Sequence, residues 1–194
     1  MIYQITNPEG IDFYIQRLQT SLYSYLKTLW GLTDSAAGTR YDCYARAHQQ
    51  WTKDNGIVPY AYVGADEYRE VFFDDTKACI SFFDLGSVFQ TKVGFSTANV
   101  SLYFHLNLNV VKPSAFRLDE NVRNDVKNFI DSGGNGFSAN NIMIGEKKVL
   151  ENYGGYRKRV GMKHTDMHPF HLFRIDMTYY NYSTQGPFCT NIVN

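Results

Sequence analysis

The chain is poor in cysteine, carries no excess of charge of either sign and contains no long apolar run. Its three cysteines, Cys43, Cys79 and Cys189, are too few and too scattered for a disulfide framework, and their odd number fits a reducing compartment better than secretion. With 19 basic and 19 acidic residues the net charge is zero, so no overall field draws the protein to nucleic acid or to an acidic membrane, and any such contact is local. No stretch approaches the roughly 18 apolar residues that a spanning helix needs. The opening MIYQITNPEG has neither a basic n-region nor an apolar h-region, so a signal peptide and a membrane anchor are not expected. The GK[ST] ending of a phosphate-binding loop is missing as well.

Aromatic residues are what the chain has in plenty. They make up 16% of it, 15 Tyr and 14 Phe among them, and such rings suit half-buried sheets and interfaces where one end of the ring stays wet. At 194 residues the chain is long enough for one sizeable core, and a single domain over residues 1–194 is the default.

The apolar residues Ile11, Ile15, Leu18, Leu22 and Leu26 recur at steps of three and four and predict an amphipathic helix over residues 10–30, with Gly31 placed to end it. Residues 33–55 give a weaker pattern, read as a short helix around residues 41–51. From Val58 the period changes to two, and VPYAYV, YREVFF and CISFF read as short strands separated by polar turns. The clearest alternation sets Val100, Leu102, Phe104, Leu106, Leu108 and Val110 against Tyr103, His105 and Asn107. The first set is expected in the core and the second exposed in an isolated subunit. Pro113 ends this run, and Asp119 is the expected N-cap of a second helix carrying Val122, Val126, Phe129 and Ile130. SGGNGFSANN reads as a flexible loop, residues 146–153 as a short helix, GGYRKRVGMKHTD as a basic loop, and residues 168–182 as a last strand. The fold class is therefore α+β, an antiparallel sheet packed against an N-terminal amphipathic helix and a second helix. No internal repeat suggests a solenoid or propeller.

Each cluster with residue types suited to chemistry meets a geometric objection. His164, His168 and His171 are the nearest approach to a zinc site. A helical pair would have to run through Pro169, and on a strand His168 and His171 face opposite sides. Gly134, Gly136 and Ala139 match a dinucleotide fingerprint in spacing, but they follow a helix instead of the first strand of a βαβ unit. Cys43 and His48 are the closest thiol and imidazole, and on a helix five residues turn them about 140° apart. The adjacent carboxylates Asp66 and Glu67, and Asp74 and Asp75, fall in expected turns where such pairs are usually solvated. The basic residues Arg157, Lys158, Arg159 and Lys163 form a local positive patch. A protein partner is favoured over nucleic acid as its target, and pairing with acidic turns such as Asp74 and Asp75 of a neighbouring chain is expected.

The order of these elements, an N-terminal helix, a run of strands with SLYFHLNLNVV, the helix DENVRNDVKNFI and a last aromatic strand, resembles that of a known group of proteins. With the segments DMHPFHLFRI at residues 166–175 and NLN at residues 107–109, the layout over residues 10–182 resembles the tail-terminator and neck-ring proteins of tailed bacteriophages, those of crAss-like phages among them. Residues 33–55 depart from that layout. The resemblance implies a non-enzymatic structural protein of the virion, without catalytic residues, metal or cofactor. It implies a homo-oligomeric ring, a hexamer or dodecamer, assembled in the host cytoplasm as a head-tail connector around the DNA channel. Portal and other neck or tail proteins would be its neighbours, packaged DNA a non-specific contact, and no membrane would be involved. Two rivals stand beside it: a small cytosolic enzyme using the histidine cluster as a metal site, and a monomeric binding module. A ring also needs two different complementary surfaces on each subunit.

Overall fold

The computed structural model describes residues 1–114, 116–132, 135–156 and 166–183. In chain order the elements are β1 (Ile2–Tyr3), α1 (Ile11–Leu29), β2 (Tyr41–Thr52), β3 (Gly56–Gly64), β4 (Glu67–Glu70), β5 (Cys79–Lys92), β6 (Phe95–Asn107), α2 (Leu108–Val111), α3 (Asp119–Ser132), β7 (Phe137–Ile144), α4 (Glu146–Val149) and β8 (Phe170–Ser183). They form an α+β fold around one eight-stranded sheet of order β4-β3-β2-β5-β6-β8-β7, with β1 added beside β2. Pairing is antiparallel except where β2 meets β1 and β5.

α1 forms where the periodicity places it. Ile15, Leu18, Leu22 and Leu26 are fully buried on the sheet, and Asp12 lies at the positive end of the helix dipole. Gly31 takes φ 62°, a left-handed value that lets the Leu32 N–H donate to the Lys27 carbonyl at 2.9 Å and close the last turn. α3 packs on the same side through Val122, Val126 and Ile130. Asp119 is its first helical residue, not its cap, since the Val122 N–H donates to the carbonyl of Leu118.

The opposite face of the sheet is covered too, and this overturns several expectations. A second core of Phe82, Tyr103, Leu172, Val149, Tyr153 and Tyr156 lies under α4 and the chain that follows it. Tyr103 is therefore 0% exposed and His105 2%, where the alternation placed both in solvent. Here the polar-looking positions are aromatic, and rings stack across the face: Phe82 on Tyr103 at 4.6 Å and Phe73 on His105 at 4.8 Å between centroids.

Residues 41–52 are a strand, not a short helix. β2 is covered on both faces from Tyr41 to Ala45, and a register shift between Cys43 and Arg46 breaks the alternation, so neither period shows in its sequence. The supposed loop SGGNGFSANN holds the start of β7, whose Phe137 packs against Tyr179 at 4.7 Å. Gly136 is required there, because a Cβ would enter the Tyr179 ring. β6 ends at Asn107, whose side chain accepts from the Asn109 N–H at 3.1 Å and turns Leu108 into α2. α4 is a single turn, shorter than expected.

Candidate functional site

Among the described histidines, His171 is the one the fold builds into an ionic network. It sits at the start of β8, 1% exposed, facing α3. Its Nδ1 is 2.9 Å from Asp166 Oδ1, and its Nε2 is 3.0 Å from Arg123 Nη1. Nε2 faces the Arg123 guanidinium, which only donates, while Nδ1 lies between the Asp166 carboxylate and Arg117 Nη2 at 3.4 Å. Asp166 Oδ1 also accepts the Leu172 N–H at 3.1 Å, while Asp119 Oδ2 lies 3.3 Å from Arg123 and 3.4 Å from Arg117. Burial acts to raise the Asp166 carboxyl, but the hydrogen bonds from His171 and Leu172 and the charge of Arg117 outweigh it and hold the group below the usual carboxylate range. The arrangement has the Asp-His half of a nucleophile-activating triad. Its outer nitrogen is occupied by Arg123, so neither a hydroxyl nor a metal ion meets that lone pair.

His168 precedes β8 at a cis bond to Pro169, and His164 lies outside the described residues. Among the described residues no group of three His, Cys, Asp or Glu side chains could hold a metal ion. Cys43 and Cys79 are fully buried beneath α1, and burial pushes both thiols up, away from thiolate. Cys189 lies outside the described residues. Gly136 and Ala139 enter β7 without a following helix N-terminus, so the fingerprint spacing makes no anion cradle; Gly134 also lies outside.

Two buried ionic hubs fasten elements together, and neither was visible as a motif. Asp42 of β2, 0% exposed, receives Arg40 Nε at 2.8 Å and Lys77 Nζ at 2.7 Å, tying the strand to the turn before β5. Asp74 belongs to that turn: its Oδ1 accepts the Thr76 N–H at 3.0 Å, and Oδ2 lies 3.5 Å from Lys77. Asp75 is exposed beside it. Arg174 of β8 reaches Asp176 at 2.8 Å and Glu151 at 2.9 Å and lies over the Tyr103 ring at 5.8 Å, pinning the segment after α4 to the second core. A cleft of about 150 Å³ beside the first turn of α1 holds Asp12, Arg46, His48 and Tyr68, with Asp12 and Arg46 paired at 3.3 Å. Burial raises the Asp12 carboxyl and lowers the His48 imidazole, each toward its neutral form.

Asp66 lies in the β3-β4 turn with Ala65, whereas Glu67, expected in the same turn, is the first residue of β4 and pairs with Arg69. The expected contact residues Arg157, Lys158, Arg159 and Lys163 all lie outside the described residues.

The surface offers a different kind of feature. β2 accompanies β5 only as far as Asp84, after which β5 runs on to Lys92 with no strand on its outer side among the described residues. On this stretch Val88 is 45% and Phe89 55% exposed, and Val93 at the turn is 91% exposed. At the other side of the sheet β7 pairs with β8 alone. β4, the remaining edge, is four residues long and carries Glu67, Arg69 and Glu70, the usual defence against edge-to-edge pairing. β7 is eight residues long, FSANNIMI, with no charge and no proline. No helix among the described residues is long and apolar enough to cross a membrane. No family model, no curated protein and no solved structure matches the chain.

Proposed function

We propose that this protein is a non-enzymatic structural subunit of an oligomeric ring, and that the ring belongs to the neck or tail of a tailed phage, joining portal or head to tail around the DNA channel. The observation that carries the reading is exposed strand surface on two sides of the sheet, the uncharged edge strand β7 and the end of β5 that carries the exposed Val88 and Phe89. Strand surface of this kind is blunted in proteins that remain single, and a subunit that closes a ring needs two unlike surfaces on opposite sides. The occupied outer nitrogen of His171 and the buried thiols favour a structural role over the metal-enzyme alternative. The assignment to a phage particle rests on the order of elements and on the segments DMHPFHLFRI and NLN.

The purified protein should assemble to a single multiple of the 22.3 kDa chain, with closed rings of six or twelve subunits in electron micrographs. A mass equal to one chain at every concentration would remove the ring reading. A ring that no antibody or cross-linker finds in a purified phage particle would remove the virion assignment alone.

A further inference from the structure

The cleft beside the first turn of α1 brings a carboxylate, a guanidinium, an imidazole and a phenol together from three elements, Asp12 of α1, Arg46 and His48 of β2 and Tyr68 of β4. We propose that it binds one neutral hexopyranose, hydrogen-bonded to Asp12 and Arg46 and laid against the ring of Tyr68; the proposal goes beyond the oligomeric reading and does not depend on it.

Asp12 and Arg46 fit each other poorly. Asp12 Oδ1 is buried and accepts no hydrogen bond among the described residues, although Arg46 Nη1 stands 3.3 Å from it. Where this fold uses an ion pair as a fastener the contact is shorter, Arg40 Nε reaching Asp42 at 2.8 Å and Lys77 Nζ at 2.7 Å. An acceptor without a donor, beside a donor without a well-aimed acceptor, calls for a ligand that gives to one and takes from the other. A hydroxyl does both, and neighbouring hydroxyls on a pyranose are spaced to span the pair.

Charge selects against ions. The Asp12 carboxylate and the Arg46 guanidinium cancel, and burial together with Arg46 lowers the His48 imidazole toward its neutral form. A carboxylate or phosphate would gain Arg46 but meet Asp12, and an ammonium or metal ion would gain Asp12 but meet Arg46. The site therefore suits an uncharged ligand rich in hydroxyls.

Size and shape agree. A cleft of about 150 Å³ has room for a single six-membered ring. A nucleoside would fill it with its base and leave the ribose outside. Tyr68 is 49% exposed, and edge-to-face contacts with Tyr62 at 5.6 Å and His48 at 5.8 Å fix its ring. Such a ring offers a flat apolar face to the C–H side of a sugar while its hydroxyl stays wet. On another wall the Gln16 amide, oriented to accept the Ile5 N–H at 3.2 Å and donate to the Ile5 carbonyl at 3.3 Å, is held before any ligand arrives.

Saturation-transfer difference NMR on the full chain tests this, with the methyl glycosides of glucose, galactose and mannose and the corresponding free hexoses as probes. At least one sugar should receive transfer at millimolar concentration, strongest on the C–H protons of one ring face. Asp12→Asn should weaken that sugar at least about tenfold, the loss of one hydrogen bond to a charged group. Tyr68→Ala, at an exposed position, should abolish the face-selective transfer and leave the protein folded. The methyl glycoside stands for a sugar linked in a glycan and the free hexose for an unlinked one, so a preference for either upholds the site and names its source. No transfer to any of the sugars overturns the proposal. So does transfer that both variants leave unchanged, or stronger transfer to acetate or uridine than to the sugars.

Discussion

His105 shows how far a single buried side chain can be read. It lies between Phe73 at 4.8 Å and Phe170 at 5.5 Å, and its Nε2 has no hydrogen-bond partner among the described residues. Burial lowers its pKa from 6.5 to about 4, against a small opposing pull from Asp166 and Asp74. The native state then binds fewer protons than the unfolded chain between these values, so stability is full above pH 6.5 and falls as the pH drops toward 4. The loss amounts to about 3 kcal/mol. Asp12 and Asp84, whose carboxyls are raised by burial, act in the opposite sense near the bottom of this window. His105→Phe keeps the ring stacking and removes the titration. The urea midpoint of the variant, followed from pH 7 to pH 4, should fall less steeply than that of the parent protein. Parallel curves would mean that His105 is solvated.

At the scale of elements, the parts legible in the sequence were those with one wet face. α1 and α3 show their period because Arg17 and Glu120, for example, remain outside while Leu18 and Val122 are buried. β6 and β8 were located for the same reason, yet their second face was misjudged, because a strand that alternates Leu with Tyr and His looks half-wet when both sides are in fact packed. Nothing local in β6 signals that residues 149–156 fold over it. β2 was lost to burial on both faces and a bulge, and β7 to its Ser, Asn and flanking Gly. The His171 network was equally hidden, since Arg117, Asp119 and Arg123 come from about fifty residues away. The two-sided packing predicts that Tyr103→Ala and Phe104→Ala, adjacent residues on opposite faces, each cost about 3 to 5 kcal/mol. Chemical denaturation of the two variants checks this. A Tyr103→Ala loss below about 1 kcal/mol would return that face to solvent.

For the whole molecule the question is where a neutral, aromatic-rich chain keeps apolar surface that its own core does not need. Both layers of the sheet are filled, so Val88, Phe89 and Val93 are not spare core; they lie on the part of β5 that outruns its neighbour β2. Exposed apolar residues grouped on a strand invite aggregation, and with a net charge of zero there is little repulsion to prevent it. A partner that covers the group resolves the conflict, and the same surface then has no part in folding the isolated subunit. Val88→Ser with Phe89→Ser should accordingly change the unfolding free energy of the subunit by no more than about 0.5 kcal/mol per site. The assembled mass in solution should fall to that of a single chain or short oligomers. Mass photometry and a denaturation curve on the same preparation separate the two effects. A double variant that assembles as the parent does, or one that loses several kcal/mol of stability, would assign these residues to the interior of the subunit and not to its neighbour.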